Sequence, residues 1–230
     1  MIRHSIKTLL SLVLCLPLLV ICGSETTASV PTGCAQAGSP CLQGMATVEL
    51  TTSKGAITLE LDGDAAPVTA GNFLDLVKRG VYNGTVFHRV VRDPVPFVVQ
   101  GGDPSSSNPK TPKAQYGSGS FIDSASGQAR FIPLELSFEG DDQPRYSTVV
   151  RNPSELLQLK LSHERGALAM ARSQSPDSAS AQFYIALRPL PELDGRYAVF
   201  GRVTEGLDVV DDIRQAVSYT HLRAHETVVH

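Results

Sequence analysis

Apolar residues in this chain gather in many short strand-length runs, and take a clear helical period over two longer stretches, one near each end. The strand-length runs are Ala46–Thr51 (ATVELT), which alternates, Ala56–Leu61 (AITLEL), Thr85–Val91, Phe97–Gln100, Ala167–Arg172 (ALAMAR), Gln182–Leu187 (QFYIAL) and Ala198–Val203 (AVFGRV). Ser53-Lys54-Gly55 joins the first two into a hairpin. Asp64–Gly80 reads as an amphipathic helix, with Val68, Phe73, Leu74 and Val77 on one face and a stop at Lys78-Arg79-Gly80. Gly206–Val217 reads as a second. Short strands with one helix near each end favour an antiparallel barrel with helices outside it. Between Pro104 and Glu164 lies a long stretch poor in periodic signal, in which Phe131–Phe138 reads as a strand and Asn152–Ser162 as a short helix. A structureless loop of that length is uncommon in a compact domain, so part of it is expected to pack as an insertion.

The 230 residues, 42% hydrophobic and 19% charged, suit one globular domain with appendages. A net charge of −3 gives no basic surface for nucleic acid. Arg3, His4 and Lys7 precede the apolar run Leu9–Ile21, which has the length of a signal peptide and is too short for a stable membrane span. Small residues at Thr26 and Ala28 place cleavage after Ala28, so residues 1–28 are read as a signal peptide and the protein as exported. A lipid anchor at Cys22 is the competing reading, and bulky Ile21 argues against it. Residues 29–45 read as a linker holding Cys34 and Cys41, which an oxidising compartment would join in a local disulfide; two unpaired thiols are the alternative.

Phe87–Asp103 (FHRVVRDPVPFVVQGGD) concentrates the polar groups that a fold of apolar strands does not need. Alternation puts Phe87 and Arg89 on one face and His88 and Val90 on the other. Arg89, Phe97 and Gln100 follow at strand positions, and Gly101-Gly102 marks a tight turn or a close backbone approach. His88 suggests acid–base work at first sight, but a packed, hydrogen-bonded neighbour is the better reading.

FHRVV…FVVQGGD, GALAMAR…SAQFYIAL and LDGRYAVFGRV, in that order between about Ala46 and Gln215, resemble the cyclophilin family of peptidyl-prolyl cis-trans isomerases. The resemblance implies an eight-stranded antiparallel barrel capped by two helices, over residues 46–217 with the insertion 104–164. It places the catalytic arginine on Arg89, the proline-pocket aromatics on Phe97 and Tyr184, and the two glutamines on Gln100 and Gln182. Ala171 and Arg172 fall on the segment that pairs with the substrate backbone, Leu193 on the pocket wall, and Tyr197 where some members have histidine. Two positions depart from the pattern. Val98 replaces the pocket methionine, and Glu192 stands where a tryptophan often precedes the LDG turn, in a chain without any tryptophan. Weak binding of cyclosporin-type inhibitors is therefore expected. The insertion, with GSGSFID…FIPLEL, is similar to that of thylakoid-lumen cyclophilins and their cyanobacterial relatives, which leaves periplasm and thylakoid lumen both open.

What the resemblance implies is rotation about X-Pro peptide bonds in polypeptide substrates, assisting the folding of exported proteins. Such rotation needs no nucleophile, metal or proton relay, so neither cofactor nor metal is expected, and a monomer suffices. The competing class is a non-catalytic peptide-binding or scaffold module on the same barrel. The tail Ser218–His230 breaks the pattern: the family's final strand is expected to be missing there and the segment to lack regular structure. His221 and His225, four apart, would suit a metal only on a helix and without an evident third ligand.

Overall fold

The computed structural model describes residues 33–34, 40–214 and 219–226. The signal peptide and most of the proposed linker lie outside the described residues, as do 215–218 and 227–230. In chain order the elements are β1 (Met45–Thr52), β2 (Gly55–Asp62), α1 (Pro67–Lys78), β3 (Arg89–Val91), β4 (Val98–Gly101), β5 (Glu135–Leu136), β6 (Arg145–Tyr146), α2 (Pro153–Leu156), β7 (Ala167–Met170), β8 (Phe183–Ala186), β9 (Val199–Glu205), α3 (Leu207–Asp212) and β10 (Tyr219–Glu226). Eight strands form one antiparallel sheet in the order β10-β1-β2-β9-β7-β8-β4-β3, and β5-β6 form a separate pair. The hydrogen-bond ladder is open, with β10 and β3 at its two ends.

Period-two alternation divides this sheet into two faces. Val48, Leu50, Ile57, Leu59, Leu61, Val99, Leu168, Met170, Phe183, Ile185 and Phe200 point into the main core, where α1 adds Val68, Phe73, Leu76 and Val77. Phe73 anchors this contact, with Tyr82, Phe183 and Phe200 all within 5.2 Å between ring centroids. The neighbours of these strand residues in sequence, Val98, Ala167, Ala169, Tyr184, Ala186 and Val199, form a second cluster on the opposite face. That outer face holds the candidate site.

The insertion is folded onto the domain. Leu134, Leu136, Phe138 and Val150 make a third small core with Ala198 of the main domain. Glu135 reaches from it to the start of α1, where its carboxylate accepts the backbone N–H groups of Val68 at 3.1 Å and Thr69 at 2.8 Å. These are two of the orphan donors of a helix N-terminus. Cys34 and Cys41 are joined in a disulfide that packs against the core.

Four expectations change, the first being the helix over Asn152–Ser162, which is a single turn, Pro153–Leu156. Phe131–Phe138 is a strand only at Glu135–Leu136, since Ile132 and Leu134 send their N–H groups to Ala179 O and Asp177 Oδ1 instead of a ladder. The second helix stops at Asp212, because Ile213 adopts extended backbone and drops into the core. The tail was expected to lack the last strand; instead β10 pairs with β1 along its whole length, from Ala46↔Glu226 to Thr52↔Tyr219. Main-chain pairing along a free edge is indifferent to most side chains. Leu222 and Ala224, two apart and so on one face, turn to the main core. The helix that would have brought His221 and His225 together is a strand, whose rise separates residues four apart by about 13 Å.

Candidate active site

Strand register assembles the site. Arg89 on β3 pairs with Gln100 on β4, Gln100 with Tyr184 on β8, and Tyr184 with Ala169 on β7. The four form one row across the outer face, with successive members about 4.8 Å apart. Arg89 Nη1 donates to Gln100 Oε1 at 3.4 Å, Gln100 Nε2 to Gln182 Oε1 at 3.1 Å, and Gln182 Nε2 to the carbonyls of Gly117 and Gly119, both at 2.9 Å. A guanidinium is thus tethered to an amide chain that ends in the insertion.

Beside the row, Phe97, Leu193, Tyr197 and Ala171 pack as half-buried groups around Val98 and Tyr184. The rings of Tyr184 and Tyr197 meet edge-on, 5.9 Å apart at 84°. All ten residues singled out from the sequence fall on this row or its borders. A cavity of about 370 Å³ adjoins it, lined by Gln100, Gln182, Ala171, Arg172, the loop 117–120 and Phe131. Phe97, Tyr184 and Leu193 do not line that cavity.

One local expectation needs correction. Phe87 was placed on the face of Arg89, but it is fully buried in the main core while Arg89 is exposed. Alternation fails because β3 starts only at Arg89, so Phe87 and His88 precede the regular backbone. Arg172 is read as serving the substrate through its main chain, and the structure shows what its side chain does. Its side chain binds two loops: Nε and Nη2 donate to Arg196 O at 2.8 and 2.6 Å, Nη1 to Ser173 O at 2.8 Å, and the guanidinium lies 4.8 Å from the Tyr197 ring centroid. Ala171 N–H is committed to Gln182 O at 2.9 Å.

Three residues of the surroundings escaped the sequence reading: Asp103, His163 and Asp194. Asp103 closes QGGD, and its carboxylate accepts N–H groups from Ser105, Gly117 and Gly119. It therefore shapes the loop that receives Gln182. Gly102 is required before it: φ is +83°, and a Cβ would come within 2.6 Å of Ala181 O. His88 is buried, and a Cβ on Gly117 would lie 3.1 Å from its ring. Burial lowers the pKa of His88 more than Asp103 raises it, so it packs as a neutral ring.

Burial alone would raise the pKa of Asp103, but the donors of Ser105, Gly117 and Gly119 outweigh it and hold the carboxyl below its ordinary value. A depressed folded pKa gives stability that is present above the unfolded value of about 3.9 and lost as pH falls through the folded one. Denaturant titrations should therefore show Asp103→Asn less stable than wild type at pH 7, with the gap closing as pH drops below about 4. A gap independent of pH would contradict this account of the loop.

One sheet face thus carries a tethered cation, an amide chain and a half-buried ring cluster side by side. Residues 47–229 match the family described as cyclophilin type peptidyl-prolyl cis-trans isomerase/CLD, and the chain belongs to that family. It is 38% identical over 189 residues to a putative thylakoid lumen peptidyl-prolyl cis-trans isomerase of Synechocystis sp., a match covering 78% of this chain and 46% of that protein. The chain thus spans about half the length of that relative. It is 36% identical to the peptidyl-prolyl cis-trans isomerase cyp18 of Streptomyces antibioticus, over 80% of this chain and 92% of that one. Among solved structures, a Cryptosporidium parvum cyclophilin superposes with a TM-score of 0.57 at 24% identity, covering 80% of this chain and 99% of its own. At that identity the likeness supports the fold.

Proposed function

We propose that this domain isomerises X-Pro bonds at the row Arg89–Gln100–Tyr184, with the prolyl ring held against Phe97, Val98, Tyr184 and Leu193. The observation that carries this reading is the register placing the guanidinium, the amide and the aromatic ring side by side on one sheet face. The chemistry asks for little more. A peptide bond resists rotation by about 18–20 kcal/mol because the nitrogen lone pair is delocalised. Twisting returns that lone pair to the prolyl nitrogen, and a fixed cationic donor aimed there binds the twisted form better than either planar one. Arg89 supplies planar, permanently charged donors, and Gln100 holds them in place. The main chain of Arg172 is the proposed partner for the substrate backbone, in a loop that its own side chain stiffens.

Proline-containing polypeptides are the proposed substrates; the C. parvum cyclophilin has been crystallised in the presence of the dipeptide Ala-Pro. The thylakoid-lumen relative supports the reading that this chain is exported; its location in the periplasm or a lumen, and its action there as a monomer on newly exported proteins, belong to the proposal. Among the described residues no helix is long and apolar enough to cross a membrane. A protease-coupled assay on a proline-containing tetrapeptide tests the reading: the protein should abolish the slow phase of tens to hundreds of seconds. A slow phase untouched by added protein would leave the peptide-binding module as the function.

Glu192 pairs with Arg188 at 2.6 Å, and the Arg188 guanidinium lies 5.9 Å from the Phe97 ring centroid. The rim that holds a tryptophan in many members is here an ion pair. Replacing it by Glu192→Trp should tighten cyclosporin inhibition about tenfold, since a large aromatic contributes on the order of 1–3 kcal/mol at a contact. An unchanged inhibition curve would show that the residue at 192 does not set the affinity for such inhibitors.

A further inference from the structure

Behind the ring cluster runs a chain of buried polar groups for which bond rotation has no use. Tyr184 Oη lies 2.8 Å from His163 Nε2, and His163 Nδ1 lies 2.7 Å from Asp194 Oδ1. The same carboxylate oxygen accepts the His163 backbone N–H at 2.9 Å, and His163 O accepts the Leu190 N–H at 2.7 Å. His163 is 2% exposed and Tyr184 4%.

With Nδ1 of the ring directed at the Asp194 carboxylate, Nε2 is left to pair with the Tyr184 hydroxyl, which can donate or accept. Each group in the chain is then satisfied, as burial demands. The tyrosine hydroxyl lies on the ring's own axis, so this bond fixes where the tip of the ring sits. The imidazole also lies nearly parallel to that ring, 12° between planes with centroids 5.9 Å apart. At the other end, Asp194 directly follows Leu193 and opens the turn through Gly195, whose φ is +71°. One side chain therefore touches both a ring of the cluster and the turn bearing its opposite wall.

We propose that His163 is a positioning residue of the prolyl site: by holding Tyr184 at Nε2 and the Leu193 turn at Nδ1, it fixes the width of the slot that receives the proline ring. This rests on the reading of Phe97, Tyr184 and Leu193 as the ring site. A slot set by one imidazole discriminates by fit, so loosening it weakens binding of substrate and transition state alike. That loss appears in KM.

The test uses the full chain and a proline-containing tetrapeptide, with kcat, KM and Tm measured for wild type, His163→Ala, Tyr184→Phe, the double variant and Phe97→Ala. Each of the His163 and Tyr184 single variants should raise KM about 5–20-fold with kcat within about twofold, misplacement of the order of an ångström being enough. The double variant should be no worse than about twofold beyond the poorer single one, because both break the same chain. Fold-losses that multiply in the double variant, or variants that lower Tm while leaving KM unchanged, overturn the proposal. Should His163→Ala not fold, Tyr184→Phe decides alone, since it keeps the ring and removes only the hydroxyl: an unchanged KM overturns the role. Phe97→Ala separates the two levels. If it leaves KM unchanged, the ring-site reading has failed and the proposal falls with it. If Phe97→Ala raises KM and the other variants do not, only the positioning role is lost.

Discussion

Arg89→Ala should lower kcat/KM for a proline-containing tetrapeptide roughly 10²–10³-fold, the usual effect of removing one preorganised donor from a site of developing charge. Arg89 lies exposed at the end strand β3, and its side-chain bond is the 3.4 Å contact to Gln100. Little folding energy depends on such a residue, so Tm should move by no more than about 1–2 °C. Arg89→Lys keeps the charge but loses the planar fork, and should recover only part of the activity. A loss in KM alone, with kcat preserved, would mean that Arg89 binds ground and twisted states equally, and the catalytic role would be wrong.

Glu135→Ala should produce the largest loss of stability. Its carboxylate is 1% exposed and accepts the N–H groups of Val68 and Thr69, which are themselves fully buried at the start of α1. Removing it leaves two buried donors without acceptors, at about 2–4 kcal/mol together after allowing for the desolvation that a buried carboxylate no longer incurs. In a domain of this size that is a fall in Tm on the order of 5–15 °C by calorimetry. Glu135→Gln retains one acceptor oxygen and should lose about half as much. Burial raises the pKa of Glu135 despite those donors. A raised folded pKa contributes stability that is present below the unfolded value and fades as pH rises through the folded one, the opposite sense to Asp103. The gap between wild type and Glu135→Gln should therefore change with pH in the direction opposite to that of Asp103→Asn. Equal Tm values for Glu135→Ala and wild type would show that the insertion does not hold α1.

Elements with a clean apolar pattern were legible in the sequence. The hairpin of β1 and β2, the helix α1 and the strands β7, β8 and β9 stand within a few residues of where apolar runs and helix stops put them. In β1 and β2 one buried face writes the period, while β7 and β8, buried on both faces, read as short apolar runs between turns. The insertion was obscure because its backbone bonds go to loops and side chains, as those of Ile132 and Leu134 do, which no residue period records. β10 was misread because edge pairing is a main-chain property that the side chains of the tail advertise only at Leu222 and Ala224.

The sequence motifs named Arg89, Gln100, Phe97 and Tyr184, and the structure brings these four onto one sheet face or its border. Supporting groups left no local signal. Asp103 serves Gly117 and Gly119, which lie 14 and 16 residues away, and His163 reaches Asp194 across 31. A contact at that separation is fixed by the fold, and no spacing rule announces it. Arg172 was half legible: its place in the loop could be read, but the carbonyls of Arg196 and Ser173 that capture its side chain could not.

The central claim is that Arg89 acts on the twisted amide and not on the resting peptide. Exchange NMR on an Ala-Pro-containing peptide at equilibrium separates the two, because it reads binding shifts and cis–trans exchange in the same tube. Wild type should exchange the prolyl isomers on the millisecond-to-second scale, and Arg89→Ala should bind the peptide within about threefold of wild type yet leave exchange near the uncatalysed rate of tens to hundreds of seconds. Catalysed exchange that persists in Arg89→Ala would contradict the account.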